Sequence, residues 1–197
     1  MATQSKASSY SALPTNKLTA SNGIEYAYRE VGTSSVPLVL LQHFRGNLDN
    51  WDPALIDDLS AKHRVITFNN TGVGSSSGST PPTIYEMSRD AIAFAEALGL
   101  EQVDLLGYSI GSFIAQEVTL ARPALVRKMV LAASAPKGAP VMHGWAAWVI
   151  EAVGSQERTP PDKYISVFFT KSKETSDAGA AALKRMFTRE EHDTPTS

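Results

Sequence analysis

Residues 107–111 (Gly-Tyr-Ser-Ile-Gly) place a serine between two glycines. Of all the features of this 197-residue sequence, this motif sets the narrowest limits on the fold. An apolar run typical of a strand, 103–106, precedes it, and a run with helical spacing, 112–122, follows it. A turn this sharp leaves no room for side chains at the flanking positions, which explains the glycines. The pattern predicts a strand–turn–helix unit that lifts the Ser109 hydroxyl to a helix N-terminus, where developing negative charge is favoured. The alternative is a glycine-rich turn with an ordinary helix-capping serine.

Strand-like and helix-like runs alternate on both sides of this turn. The predicted strands are 17–20 and 24–29, joined as a hairpin at Asn22-Gly23, then 36–42, 64–69, 103–106 and 128–133. The predicted helices between them are 53–62, 84–98 and 110–121. Such alternation indicates an α/β fold, with parallel strands joined by crossover helices and an antiparallel hairpin at one edge.

The pattern changes after Pro136, where three helix-like runs follow one another with no strand between them: 144–153, 162–170 and 175–187. We therefore predict three regions: a flexible leader over residues 1–14, an α/β core over 15–136, and a helical cap segment over 137–197.

Composition narrows the possible partners. The formal net charge of −2 offers no basis for binding nucleic acid or an anionic membrane, and no apolar run is long enough to span a bilayer. The chain has no cysteine, which excludes disulfides and thiolate ligands and fits a cytoplasmic location. Because no nucleotide-binding or metal-ligand motif is found, we expect neither a cofactor nor a metal.

Two further loops, together with the serine turn, carry a resemblance to the α/β-hydrolase family. Residues 42–46 (Gln-His-Phe-Arg-Gly) resemble the oxyanion loop of that family, usually written His-Gly-x-Pro-Gly, and Trp51 matches a tryptophan that commonly follows it. Residues 68–76 resemble its Asp-x-Arg-Gly-x-Gly-x-Ser loop, but both charged positions are neutral here. The order of elements matches the first six strands of the family fold: a mostly parallel sheet, with helices on both faces and a helical cap.

The resemblance implies a serine hydrolase that cleaves a small-molecule ester or related acyl compound through an acyl-Ser109 intermediate. The backbone N–H groups of Phe44 and Ile110 are then expected to form the oxyanion hole. His43 lies on the oxyanion loop, where the family does not keep its base, so it is predicted to order the loop or to contact substrate. Trp145 and Trp148 are predicted to line the substrate entrance, with core packing of the cap as the alternative.

Such a serine also needs a base and an acid, and family members supply them after a seventh and an eighth strand. No strand-like run follows Ala133, and only two histidines follow Ser109. His143 stands at the start of the cap, and His192, in a charged run, is predicted to lie in a solvated tail. We therefore expect a C-terminal segment or a second chain to complete the fold and to supply the acid and histidine.

Two other functions stay open from the residues alone. A non-hydrolytic protein of the same fold, such as a lyase, an isomerase or a pseudoenzyme, would need no complete set of hydrolytic residues. A non-catalytic partner subunit that contributes half of a shared fold is the other alternative.

Overall fold

The computed structural model describes residues 9–139, 144, 146–153 and 161–193, except the side chains of 152 and 153. Its strands form one sheet in the order β1-β2-β4-β3-β5-β6. The strands are β1 (Asn16–Thr19), β2 (Glu25–Val31), β3 (Leu38–Leu41), β4 (Val65–Phe68), β5 (Val103–Tyr108) and β6 (Val126–Ala132).

The sheet is parallel except at one edge. Strand β2 pairs antiparallel with β1 and β4, whereas β3 pairs parallel with β4 and β5, and β5 pairs parallel with β6. The β1–β2 turn closes at Gly23, whose φ of 79° suits the predicted Asn-Gly hairpin. The predicted sheet, with its antiparallel hairpin at the edge, is confirmed.

The helices also follow the predicted order. They are α1 (Pro53–Ser60), α2 (Ile84–Ala97), α3 (Ile110–Ala121), α4 (Ala147–Val153), α5 (Pro161–Phe168) and α6 (Lys173–Met186). Asp52 caps the start of α1, with Pro53 in its first turn, and Gly99 follows α2 with a φ of 69°. These local signals explain why the predicted bounds lie within a few residues of the observed ones.

Helices cover both faces of the sheet, and β3 shows why. All of its residues are buried: Val39 and Leu41 face a core shared with α2 and α3, while Leu38 and Leu40 face a second core shared with α1. A strand buried on both faces reads as a continuous apolar run, as this one does.

The predicted flexible leader is wrong in its last part. A 3-10 helix, Tyr10–Ala12, packs beside α1, and the side chains of Tyr10 and Leu13 are buried in the second core. The Tyr10 hydroxyl donates to the carbonyl oxygen of Leu48 at 2.8 Å and lies 2.9 Å from the Thr67 hydroxyl. One buried tyrosine thus fixes a stretch whose composition suggested a tail.

The outer strand β6 differs from the rest of the sheet because most of its residues are exposed. Met129 and Leu131 project on one face and Val130 on the other, and their exposed fractions are 42%, 37% and 57%. Within the described residues no strand follows β6. Both faces of this edge therefore carry apolar side chains in contact with solvent.

The three helices after β6 contact one another in chain order, and α6 returns to the core. Leu183 and Met186 of α6 are buried, and Arg185 binds both carboxylate oxygens of Asp52 at 2.8 and 2.6 Å. That contact also holds the pKa of the Asp52 carboxyl below its usual value. The end of the helical segment is thus attached to the start of α1.

Candidate active site

Ser109 lies at the junction of β5 and α3 with a φ of 54° and a ψ of −121°. L-residues rarely adopt such a backbone, and it persists only where the surroundings enforce it. A β-carbon at Gly107 would come within 2.6 Å of the Cα of Ser112, and one at Gly111 would overlap the carbonyl group of Leu41. The predicted strand–turn–helix unit is therefore present, and its two glycines lie where a β-carbon would clash with backbone atoms.

The backbone of Ser109 is held on both sides, but its hydroxyl is not. Its N–H donates to Ala132 on β6, and its carbonyl oxygen accepts from the N–H and the hydroxyl of Ser112 at 2.8 and 2.6 Å. In the part of the chain that the structure describes, the Ser109 Oγ has no hydrogen-bond partner and does not cap α3. The alternative of an ordinary capping serine is thus wrong, and the hydroxyl stands at the positive end of a helix dipole.

Backbone strain is concentrated at the edge of the sheet that carries Ser109. Three non-glycine residues of the described chain have positive φ: Arg45 at 63°, Ser109 at 54° and Ala133 at 52°. They follow β3, β5 and β6, whose parallel carboxyl ends meet at one edge. Crevices at this edge are the usual ligand sites of open α/β sheets.

The loop after β3 lies directly against the serine turn. Because Gly111 touches the carbonyl groups of Leu41 and Gln42, the first turn of α3 sits where that loop begins. The loop folds back on itself: the Gly46 N–H donates to the His43 carbonyl at 3.0 Å, and Gln42 Oε1 accepts from the His43 N–H at 2.9 Å. Phe44, whose side chain is half exposed, belongs to this loop, and Ile110 is the first residue of α3.

His43 is partly buried in this loop. Its Nδ1 lies 2.8 Å from the carbonyl oxygen of Phe44, while its Nε2 is buried without a hydrogen-bond partner. Burial lowers the pKa of the imidazole, against the smaller opposing effect of that carbonyl contact. The lowered pKa makes the imidazole a weaker base, and neither of its ring nitrogens is hydrogen-bonded to Ser109.

Aromatic rings surround His43 and reach it from two elements. The ring centroid of Tyr108, the residue before Ser109, lies 5.6 Å from that of His43, and the ring of Phe168 on α5 lies 5.7 Å away. Tyr164, one turn earlier on α5, stacks on Phe168 at 4.5 Å. Burial raises the pKa of Tyr164 to about 12, with smaller contributions from Tyr108 and Asp52, so this phenol stays protonated. Helix α5 thus contacts both the loop after β3 and the residue before Ser109.

This aromatic contact was missed in the sequence, although Tyr164 and Phe168 stand four residues apart in a run predicted as helix. The tryptophans of the same segment were predicted to lie at the substrate entrance instead. Trp148 lies on α4 with 54% of its surface exposed, and its place at the substrate entrance stays a prediction. Trp145 and His143 lie outside the described residues.

The segment after α6 is not the solvated tail that was predicted. The Asp193 N–H donates to Asp49 Oδ2 at 2.6 Å, and His192 Nδ1 lies 3.5 Å from the same oxygen. The Asp193 carboxylate accepts from Asn69 Nδ2 at 2.5 Å and from the Ser75 N–H at 3.0 Å. A docked carboxylate therefore explains why position 69 carries a neutral asparagine: an aspartate there would face Asp193.

A buried charge pair lies behind these contacts. Arg29, with 1% of its side chain exposed, bonds Asp49 Oδ1 at 2.8 Å and stacks on the Tyr10 ring. Asp49 belongs to a 3-10 helix, Leu48–Asn50, that continues the loop after β3. Polar contacts thus connect the end of the helical segment with both loops whose sequences resemble the family motifs. Since these partners stand more than a hundred residues apart, local sequence patterns carry no sign of them.

Neither a metal site nor a membrane span is found in the described ranges. No three histidine, aspartate or glutamate side chains there are grouped closely enough to hold a metal ion. None of the helices in that part of the chain combines the length and the apolar character needed to cross a bilayer.

Comparison with known proteins gives a consistent result. The model of the alpha/beta hydrolase fold family matches residues 36–185. An alpha/beta hydrolase fold protein from Chitinophaga pinensis superposes with a TM-score of 0.89 at 36% identity, over 96% of this chain and 68% of that one.

Two curated relatives match more than half of the chain. RutD of Azorhizobium caulinodans, whose name assigns it provisionally to the carbamate hydrolases, is 32% identical over 60% of this chain. The proline iminopeptidase PfmaB of Pestalotiopsis fici is 32% identical over 58% of it. The matched part spans only 41% and 42% of the length of these two relatives.

Proposed function

This chain belongs to the alpha/beta hydrolase fold family, and we propose that it is a serine hydrolase that cleaves an ester or related acyl compound through an acyl-Ser109 intermediate. The observation that carries the proposal is the strained backbone of Ser109, with its hydroxyl unpartnered at the start of α3. Strain of this kind is typical of functional residues. The names of the relatives RutD and PfmaB, both hydrolases, support the general reaction class.

In the proposed reaction the Ser109 oxygen attacks the substrate carbonyl, and its proton passes to a base. The carbonyl oxygen becomes an oxyanion that accepts hydrogen bonds from the N–H groups of Phe44 and Ile110. The contact of Gly111 with the Leu41 carbonyl supports this pairing, since it brings the two loops together. Each such donor contributes about 2.7–4 kcal/mol to the transition state in known hydrolases. The oxyanion then collapses, the bond to the leaving alcohol breaks, and the protonated base gives that alcohol its proton, which leaves the acyl group on Ser109. Water, deprotonated by the same base, attacks the acyl-enzyme, releases the acid and restores Ser109.

We propose that the base and its acid come from a C-terminal segment or a second chain that adds strands beyond β6. His43 is unsuited to the role because burial lowers the pKa of its imidazole and so disfavours the imidazolium that a base must become, and neither of its ring nitrogens is hydrogen-bonded to Ser109. His192 is engaged with Asp49 instead. The exposed apolar side chains of β6 support a further strand at that edge.

The absence of cysteine supports the further proposal that the protein acts in the cytoplasm.

The experiment is covalent labelling of Ser109. In the presence of the completing segment or second chain, Ser109 should displace fluoride from a fluorophosphonate, and peptide mass spectrometry should locate the single phosphonyl group on Ser109. Ser109→Ala should abolish labelling and hydrolysis of a p-nitrophenyl ester, whereas Ser134→Ala, at an exposed serine after β6, should change neither. Labelling that persists in Ser109→Ala would refute the assignment.

A non-hydrolytic member of the fold is the second candidate, because no base contacts Ser109 within the described residues. This alternative predicts binding of acyl compounds without turnover, even after the sheet has been completed. The same phosphonate distinguishes the two, since it reports nucleophilicity at Ser109 rather than binding.

A further inference from the structure

The tautomer of His43 follows from its neighbours. A carbonyl oxygen only accepts hydrogen bonds, so the ring nitrogen facing the Phe44 carbonyl at 2.8 Å must carry the hydrogen. In the neutral ring the other nitrogen, Nε2, is then a bare acceptor. It is buried and no described side chain or backbone group donates to it.

A buried acceptor without a donor is unusual and costs stability. The imidazole cannot relieve this cost by taking up a proton at neutral pH, because burial disfavours its charged form. The molecule therefore carries an unfilled hydrogen-bond acceptor in the loop next to the serine turn.

The surroundings of this acceptor are aromatic. The Tyr108 ring meets the imidazole edge-on at 82°, and Phe168 lies against it at 5.7 Å with Tyr164 behind. Tyr108 is the residue before Ser109, so the acceptor and its rings lie next to the turn that carries the nucleophile. Aromatic walls favour flat apolar groups. Phe168, on α5, is more than a third exposed, so part of this aromatic wall faces solvent.

We propose that His43 Nε2 is a substrate-recognition site that accepts a hydrogen bond from an O–H or N–H group on an aryl acyl substrate. The inference rests on the proposed function, which places the substrate carbonyl at Ser109. A neutral acceptor selects a donor group and gains nothing from a carboxylate, so the substrate is a neutral hydroxyaryl or aminoaryl acyl compound. Substrates that lack the donor leave the acceptor unfilled and bind more weakly.

The test uses two boronic acids that differ at one small substituent: 3-hydroxyphenylboronic acid, which carries the O–H donor, and 3-fluorophenylboronic acid, whose fluorine is similar in size and cannot donate. The boron atom adds the Ser109 oxygen and the hydroxyl proton is released to solvent, which holds the aryl group in the crevice. Calorimetry on the full chain should show about tenfold tighter binding of the hydroxy compound, as one added hydrogen bond gives.

Two variants make the test specific. In His43→Asn the amide N–H can still donate to the Phe44 carbonyl but the distal acceptor is lost, so the preference for the hydroxy compound should disappear. In His43→Gln the amide oxygen reaches the Nε2 position, so the preference should be kept. Circular dichroism checks that both variants fold, and ¹⁵N NMR of the wild type should show a neutral ring protonated at Nδ1.

The outcomes separate this inference from the proposed function. Equal affinity for the two boronic acids, a preference that survives in His43→Asn, no binding of the hydroxy compound, or a ring protonated at Nε2 would each overturn the role of His43. A hydroxy preference that is unchanged in Ser109→Ala would keep the role of His43 and remove that of Ser109 as the nucleophile.

Discussion

At Ser109 the backbone angles that expose the hydroxyl also oppose folding. A φ of 54° is costly for any residue with a β-carbon, by about 1–3 kcal/mol. Glycine escapes this cost but loses more chain entropy on folding, by about 0.4–1 kcal/mol. Comparing glycine with alanine at position 109 therefore measures the backbone strain separately from the loss of the hydroxyl.

We expect Ser109→Gly to unfold at a higher denaturant concentration than Ser109→Ala, with a difference of about 1 kcal/mol in the free energy of unfolding. Both variants lack the hydroxyl, so both should be inactive on a p-nitrophenyl ester. Urea unfolding followed by circular dichroism measures the difference. An alanine variant as stable as the glycine variant would show that the turn stores no strain.

His43 gives the second prediction at this scale. Its folded-state pKa is below the ordinary value of 6.5, so between these two pKa values the unfolded chain binds a proton that the folded chain does not. The free energy of unfolding should therefore fall as pH drops below about 6.5. Urea titrations from pH 7.5 to 5 should show this loss in the wild type and a smaller one in His43→Asn, which has no titrating ring. Equal slopes in the two proteins would contradict the assignment.

Among the elements, α3 is tied to β3 by the closest backbone approach around the site. A β-carbon at Gly111 would overlap the Leu41 carbonyl, which cannot move without breaking the sheet. Gly111→Ala should therefore lower the free energy of unfolding by about 3 kcal/mol or more and should disturb the loop that follows β3.

Gly99 is the matched control. Its φ of 69° is also unfavourable for alanine, but nothing lies within 4 Å of the added β-carbon. Gly99→Ala should cost only about 1 kcal/mol, from the backbone conformation alone. If the two substitutions cost the same in urea unfolding, the packing of α3 against β3 is looser than the contact implies.

The segment after α6 contacts two loops through Asp193. Its carboxylate accepts hydrogen bonds from Asn69 and Ser75, and its N–H donates to Asp49. Asp193→Ala should make the amides of residues 69–75 exchange faster with deuterium and should cost about 1–3 kcal/mol of stability. Asp177→Ala, which removes an exposed partner of Lys173 on α6, is the control. Unchanged exchange in Asp193→Ala would mean that the segment does not hold the loop.

The elements of this fold were predictable because their signals are local. Apolar runs mark the buried strands, Pro53 and Gly99 mark helix ends, and the two glycines around Ser109 mark the turn. Tyr10, Asp193 and the rings of α5 were missed for the opposite reason: their partners lie far away in the chain. The first residues are rich in serine and threonine, which predicts a tail. The sequence does not show that Tyr10 is buried against residues distant in the chain.

The same distinction between local and distant signals applies to the residues of the candidate active site. Backbone requirements identified Ser109, because a sharp turn restricts residue types whatever the rest of the fold does. His43 was open between loop packing and substrate contact, since only the folded chain shows that one nitrogen is bonded and the other is not. The residue type alone does not show that a ring nitrogen will lack a hydrogen-bond partner in the folded chain.

At the scale of the whole molecule, the core is well covered except along β6. Its side chains alternate between the two faces, and apolar groups are exposed on both. A single added strand would pair the edge but would leave these side chains bare, so a completing segment must bring helices as well. This requirement agrees with an acid and a histidine delivered after further strands.

We therefore expect the chain of residues 1–197, expressed alone, to associate through β6 and to hydrolyse a p-nitrophenyl ester at a rate about 10⁴ to 10⁶-fold below that of a complete hydrolase. Adding the part of the Chitinophaga pinensis protein that lies outside the match, as a second polypeptide, should restore a monodisperse complex and turnover. Val130→Lys tests whether β6 is the edge involved, because it places a charge on an exposed face of that strand. In size exclusion this variant should stay monomeric. The second polypeptide should then no longer restore turnover. Full activity of the monomeric 197-residue chain would show that a base within it had been overlooked, and His143 and His192 would then be the first residues to replace.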